Sequence, residues 1–249
     1  SQFLKESSKS HPGETLSERV SIATHASPQH TVFGGEADSI QELCELAKSS
    51  LPSWLPPPKA QRLGTKFGFH TSAIDPIVED LSKFAEGLEY PPTEIPAGRN
   101  LTGEISPRGS TYSAQYWTRQ LRETSLFSEN VQEIASKGCK VFLSVCSHSG
   151  LMSHIDSAMK HLGVPNFLFL LSGKRGTGMW ETILHSAGRL YCDGKDVHLE
   201  ELISPASSRI SPIPTYPFGK ANSSCISTAS GKHQQLPQSQ VLPKVLTIL

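Results

Sequence analysis

The sequence predicts an α/β fold in which a parallel sheet carries helices on its faces. Three observations support this. Val141-Phe142-Leu143-Ser144-Val145-Cys146 and Asn166-Phe167-Leu168-Phe169-Leu170 are short apolar runs, as strands buried on both faces are. Segments with apolar residues at helical spacing alternate with such runs. The chain has 249 residues, 37% hydrophobic and 18% charged. That is enough for one large domain or two small ones and too apolar for full disorder.

The elements follow in order. Val20-Ser21-Ile22-Ala23 and Thr31-Val32-Phe33 read as strands joined by a turn at Ser27-Pro28-Gln29, the second ending at Gly34-Gly35. Ile40, Leu43, Cys44, Ala47 and Leu51 recur at helical spacing, and Trp54-Leu55-Pro56-Pro57-Pro58 breaks any helix. A short strand is expected around Leu63 to Phe69, leading to His70. Asp75-Pro76 opens a helix, with proline suited to a first turn, and Ile77, Val78, Leu81, Phe84 and Leu88 form its expected buried face. Residues 90–110 read as a surface loop and 112–137 as helix in two pieces. The strand Val141–Cys146 precedes a helix from Leu151 to His161 with Leu151, Ile155, Ala158, Met159 and Leu162 inward. After the strand Asn166–Leu170, a last helix should bury Trp180, Ile183, Leu184, Ala187, Leu190 and Tyr191. Trp117 and Trp180 read as core aromatics.

Composition narrows the function classes. Lys plus Arg equals Asp plus Glu at 23 each, so no basic excess draws in nucleic acid or an anionic membrane. The longest nearly apolar run, Phe167 to Leu171, is far short of the ~20 residues that cross a bilayer. The N-terminus, Ser1-Gln2-Phe3-Leu4-Lys5-Glu6, has no signal pattern and no initiator methionine, as expected of a processed start or a piece of something longer. The five cysteines lack C-x-x-C spacing, so neither a disulfide framework nor a zinc site is expected. Cys139 and Cys146 read as small hydrophobes at an apolar strand. The expected compartment is reducing, hence cytoplasmic.

Motif order then points to a family. Arg19-Val20-Ser21-Ile22-Ala23-Thr24-His25-Ala26-Ser27-Pro28 and Thr31-Val32-Phe33-Gly34-Gly35 are followed by Arg62-Leu63-Gly64-Thr65-Lys66-Phe67-Gly68-Phe69-His70-Thr71. Next come Tyr116-Trp117-Thr118-Arg119-Gln120-Leu121-Arg122-Glu123 and Val141 to Leu151, and last Pro212-Ile213-Pro214-Thr215-Tyr216-Pro217-Phe218. Over roughly residues 18–218 this resembles the C-terminal portion of an acyltransferase domain of a type I polyketide synthase, malonyl-CoA:ACP transacylase-like. Such domains carry RVSIAxxNSP, an AFHS or ASH segment, YWxRxxR, VFxEVGPHPxL and PTYPF in that order.

The resemblance implies the second half of an α/β-hydrolase-like large subdomain plus part of a ferredoxin-like small subdomain. Residues 1–17 would be a flexible N-terminal segment, 18–63 the partial ferredoxin-like subdomain and 64–203 the partial large subdomain. Residues 204–218 would be the linker after the domain, and 219–249 a disordered tail, although Val241 to Leu249 is apolar enough to dock.

The implied activity is transfer of malonyl-type groups from coenzyme A to the phosphopantetheine arm of an acyl carrier protein, with no permanently bound cofactor. It needs a serine in a G-x-S-x-G elbow, a histidine base and an oxyanion hole. The resemblance places His70 at the catalytic histidine, and Phe69 and His148 at substrate-binding positions. Phe before the histidine goes with malonyl rather than methylmalonyl units. No G-x-S-x-G occurs in the sequence. Cys146-Ser147-His148-Ser149-Gly150 comes nearest but falls at the family's GPHP segment, where it reads as a strand-to-helix turn. The nucleophile and the arginine that grips a malonyl carboxylate would lie upstream of residue 1, so the chain alone should be inactive.

Partners implied are the carrier protein and the missing acyltransferase half or a polyketide synthase, with no nucleic acid and no membrane. A non-catalytic module that binds a carrier or synthase is the alternative. Departures from the family pattern include Ala26 for Asn and Val145-Cys146-Ser147-His148-Ser149 for VGPHP. Gly173-Lys174-Arg175-Gly176-Thr177-Gly178 lacks the phosphate-loop spacing and reads as a loop into the next helix. His154 and His161 share a helix face without a third ligand. Arg119 and Arg122 read as helix-surface charge, with contact to a phosphopantetheine or carrier as the alternative.

Overall fold

The computed structural model describes residues 15–49, 59–65, 67–202 and 246–248. Helix α1 (Leu16–Arg19) leads into an antiparallel hairpin of β1 (Val20–Ser27) and β2 (His30–Gly35), followed by α2 (Ala37–Ser49). A 3-10 turn (Ser72–Ile74) runs into α3 (Asp75–Glu86). A second hairpin, β3 (Ala97–Arg99) with β4 (Glu104–Ser106), precedes α4 (Ala114–Arg122) and α5 (Phe127–Ser136). Then β5 (Val141–Ser144), α6 (Met152–His161), β6 (Leu168–Leu171) and α7 (Met179–Cys192) alternate, and β7 (Leu246–Ile248) closes the order.

The sheet β6-β5-β7 is parallel throughout, with Val141 opposite Leu168 and Phe142 opposite Leu246. Strand side chains alternate between faces, and here both faces are covered. Phe142 joins Phe127, Val131, Ile134, Met152, Ile155, Ala158 and Met159 in one core beneath α5 and α6, with Phe169 packed against it. Val141, Leu168 and Leu170 form the opposite core, which takes in Leu190 of α7. Burial on both sides is why these strands read as continuous apolar runs. The alternation expected from the sequence therefore holds from β5 onward, while the strands before it, β1 to β4, pair as two antiparallel hairpins.

The local differences have physical causes. Among the described residues of 63–69 there is no strand. Thr71 instead closes a turn, its hydroxyl donating to the Gly68 carbonyl at 2.6 Å. The expected loop at 90–110 contains β3 and β4. Helix α3 buries Ala85, whereas Ile77, Phe84 and Leu88 are exposed, so its apolar stripe faces outward. Helix α6 buries Ile155, Ala158 and Met159 as expected and leaves Leu151 and Leu162 exposed.

Helix α7 sits on the sheet through Thr182, Ser186 and Ala187, leaving Trp180, Leu184 and Tyr191 exposed. Small side chains permit that close seat: Ser186 Oγ donates to the Leu171 carbonyl at 2.8 Å and accepts from its N–H at 3.0 Å. Trp117 is also exposed, in a cluster with Tyr112 and Tyr116. Cys139 is buried, but Cys146 is exposed past the end of β5. Leu51 and the expectations for residues 1–14, 54–58 and 203–245 lie outside the described residues. Of the expected flexible start, residues 16 and 17 are helical; of the expected disordered tail, Leu246–Ile248 pairs with β5.

Ile134 has no exposed surface and sits at the centre of the main core. Ile134→Ala should destabilise the chain by about 2–5 kcal/mol in urea unfolding. A loss under about 1 kcal/mol would place this core elsewhere.

The ring of His154 on α6 meets that of His30 at 5.2 Å between centroids. Burial, and then the charge of His30, holds the His154 imidazolium below its usual pKa of 6.5. The unfolded chain therefore takes up this proton first as pH falls. The site's contribution to stability is complete above pH 6.5 and is lost as pH falls through the folded value. His154→Gln should flatten the fall in urea midpoint between about pH 7.5 and about pH 5.5. An unchanged slope would contradict this assignment.

Candidate active site

The site grows from a turn that the chain must bend to make. His70 adopts φ 62°, a left-handed conformation that costs a non-glycine residue about 1–2 kcal/mol. The surroundings fix it from several sides. Thr71, 2% exposed, donates to Gly68 and accepts from Ala73 N–H at 3.2 Å through the same hydroxyl. A Cβ on Gly68 would lie 2.9 Å from both Ala73 Cβ and Thr71 Oγ1. A Cβ on Gly34 would lie 2.5 Å from Thr71 Cγ2, so this glycine lets β2 press against the turn.

The end of α4 completes the grip. His70 N–H donates to the Leu121 carbonyl at 2.8 Å. His70 Nδ1 lies 2.9 Å from the Glu123 carbonyl oxygen. A carbonyl only accepts, so Nδ1 carries the proton and Nε2 keeps the free lone pair of the neutral ring. The segment after Glu123 is laced to β1. Thr124 Oγ1 donates to the Ile22 carbonyl at 2.7 Å, Ser125 N–H to Ala23 at 2.9 Å, and His25 N–H to Ser125 at 2.9 Å. Leu126 N–H reaches the Asn100 carbonyl beside β3. The carbonyl that orients the imidazole is thus anchored to two hairpins.

His70 lines a cavity of about 350 Å³ with Ser21, Leu101, Arg122, Glu123, Thr124 and Leu126. Arg122 forms a two-pronged ion pair with Asp75, and Arg119 forms another with Glu123. The hydrogen bond from Arg119 holds the Glu123 carboxyl below the usual carboxylate range, with lesser help from the charges of Arg119 and Arg122. Both arginines expected as helix-surface charge are partly exposed, and both are paired. Outside the cavity, Arg99 lies over the Tyr112 and Tyr116 rings. Burial, followed by Tyr112, raises the Tyr116 phenol.

The structure brings Phe69 beside His70, 47% exposed and with its ring 5.9 Å from that of Phe67. His148 lies on the exposed turn between β5 and α6, and the residues lining the His70 cavity do not include it. Cys146 Sγ donates to the His148 carbonyl, so the segment Cys146–Gly150 forms the turn expected of it. Ala26 is buried on β1. His154 faces His30 rather than a metal-ligand partner on its own helix.

Sequence reasoning did not assign a role to Leu121 or Glu123, because they act through main-chain carbonyls that any residue supplies. The YWxRxxR run located them without revealing what they hold. Asp75 was read only as a helix start.

Residues 5–197 match the acyl transferase domain family, and the chain belongs to it. It is 27% identical over 203 residues to the polyketide synthase GfsA of Streptomyces halstedii, an alignment covering 80% of this chain and 3% of that protein. Among solved structures, it resembles the acyltransferase domain from the second module of the salinomycin polyketide synthase, with a TM-score of 0.67 and 26% identity. That match covers 81% of this chain and 46% of the other. A type II polyketide synthase acyl-carrier protein in complex with its malonyl-transacylase shares the fold, with a TM-score of 0.52 and 19% identity over 67% of this chain and 50% of the other. The chain is thus an acyltransferase-domain sequence of the polyketide synthase type and spans less than half of that salinomycin chain.

Thr71→Val keeps the side-chain shape and removes both hydrogen bonds of the turn. It should cost about 1–3 kcal/mol in urea unfolding. A neutral result would mean that the turn does not depend on the Thr71 hydroxyl.

Proposed function

We propose that this chain supplies the base-bearing part of a malonyl-type acyltransferase, with His70 as general base. The observation that carries the proposal is the Nδ1 contact to the Glu123 carbonyl, which leaves Nε2 as the basic atom of a residue lining a cavity. Residues 18–63 are assigned to a partial ferredoxin-like subdomain and 64–203 to part of an α/β-hydrolase-like one. The sequence contains no G-x-S-x-G, so the serine nucleophile would come from a segment outside these 249 residues.

The reaction balances in two half-steps. Serine Oγ attacks the thioester carbonyl of malonyl-coenzyme A while His70 Nε2 takes the hydroxyl proton. The C–S bond breaks, and His70 returns that proton to the departing thiolate, giving free coenzyme A and an acyl-serine. The phosphopantetheine thiol of a carrier protein then loses its proton to His70 and attacks the ester. The C–O bond breaks, and the proton goes back to serine. His70 leaves each cycle as it entered.

Phe69 is assigned to the wall beside the acyl group, and its bulk favours malonyl over branched units. His148 is assigned a second substrate contact, outside the His70 cavity. The carrier-bound malonyl-transacylase that shares this fold supports a carrier protein as acceptor. Among the described residues, Cys44, Cys146 and Cys192 form no disulfide, which suits a reducing cytoplasmic setting. Among the described residues no helix is long and apolar enough to cross a membrane.

The test combines this chain with a separately expressed polypeptide carrying the G-x-S-x-G part of a polyketide acyltransferase. Malonyl transfer to a holo carrier protein is followed by intact mass. The chain alone should transfer nothing, and the combination should transfer malonyl. His70→Ala should lower the combined rate by about 10²–10⁴-fold. An unchanged rate in His70→Ala would refute the base assignment, and no transfer in the combination would refute the acyltransferase reading.

A further inference from the structure

Resting on the assignment of His70 as base, we propose that Asp75 and Arg122 are positioning residues that fix the His70 imidazole from outside the reaction. The two main-chain carbonyls that hold His70 belong to Leu121 and Glu123. Arg122 lies between them in the chain, and its guanidinium turns back to Asp75. There Nε meets Oδ1, and Nη2 meets Oδ2 at 3.2 Å. Asp75 is the first residue of α3, joined to His70 by Thr71 and the 3-10 turn Ser72–Ile74.

These contacts close a ring. The 70–75 segment touches the end of α4 at His70 through two hydrogen bonds, and again at Asp75 through a bidentate ion pair. A planar guanidinium fork on a carboxylate fixes orientation as well as distance. His70 has a backbone conformation that persists only where the surroundings over-determine it. The pair supplies a second anchor. Without it, the 3-10 turn could pivot about His70 and carry the ring off the Glu123 carbonyl. Arg122 also lines the His70 cavity, so the clamp borders the space where the base would act.

An exposed ion pair held only for surface stability would not alter the ring, so the test reads the ring itself. The full chain, labelled with ¹⁵N-histidine, is examined by long-range ¹H–¹⁵N correlation at a pH where His70 is neutral. Wild type should show the Nδ1–H tautomer. Arg122→Gln and Asp75→Asn should each raise the Nε2–H fraction on the order of fivefold, the scale of one lost ion pair. Exchanging the charges in Asp75→Arg with Arg122→Asp should restore the wild-type tautomer. Lys83→Gln, which removes the Lys83–Glu79 surface pair on α3, should leave it unchanged. Circular dichroism checks the fold of each variant. If Arg122→Gln does not fold, Arg122→Lys, which keeps the charge and loses the fork, takes its place.

Unchanged tautomers in both single variants would overturn the proposal, as would shifts that the charge exchange does not recover. This readout needs neither nucleophile nor substrate. A shifted tautomer together with failed transfer in the complementation assay would therefore sink the acyltransferase reading and leave the clamp standing.

Discussion

The site depends on one constraint: a histidine held in a left-handed turn by the carbonyls at the end of a neighbouring helix. The turn is costly by itself, and nothing local would keep the ring oriented. The carbonyls of Leu121 and Glu123 do so because α4 ends there, where helix C-terminal carbonyls lack intrahelical partners. A group that every helix end leaves unsatisfied becomes the element that sets the tautomer of the His70 ring.

The end of α4 is in turn fixed by the next few residues of the chain. Thr124, Ser125 and Leu126 are tied to β1 and to the loop after β3. Phe127, the first residue of α5, is buried in the main core with Phe142 of β5. The parallel sheet thus reaches the histidine through a short chain of contacts: β5 seats α5, α5 seats the 123–126 segment, and that segment presents a carbonyl to the imidazole. The two antiparallel hairpins buttress this path, which gives them a part in the site although they contribute no charged group to the cavity.

How much of this was legible in the sequence varied with the kind of signal. The β5–α6–β6–α7 alternation was readable because strands buried on both faces must be apolar at nearly every position. Motif order singled out His70, and the two-piece reading of 112–137 matched α4 and α5. Helix faces were less legible. Apolar spacing predicted inward faces for α3 and α7, yet α7 seats itself by Thr182, Ser186 and Ala187, where closeness to the sheet matters more than side-chain size. The strand expected near Phe69 failed because Gly68 and Thr71 favour a tight turn there, whereas strand preference reflects only the apolar residues. The carbonyls of Leu121 and Glu123 could not be read at all, since no side chain marks a main-chain acceptor.

In the proposed reaction His70 Nε2 faces a nucleophile while Nδ1 stays on the Glu123 carbonyl. The most direct test is a crystal structure of this chain assembled with a polypeptide bearing the G-x-S-x-G elbow. The elbow serine Oγ should lie about 2.6–3.2 Å from His70 Nε2, with the Nδ1 contact to the Glu123 carbonyl intact. A serine seated against Nδ1, or a His70 ring turned away from the serine with its Glu123 contact broken, would contradict this arrangement.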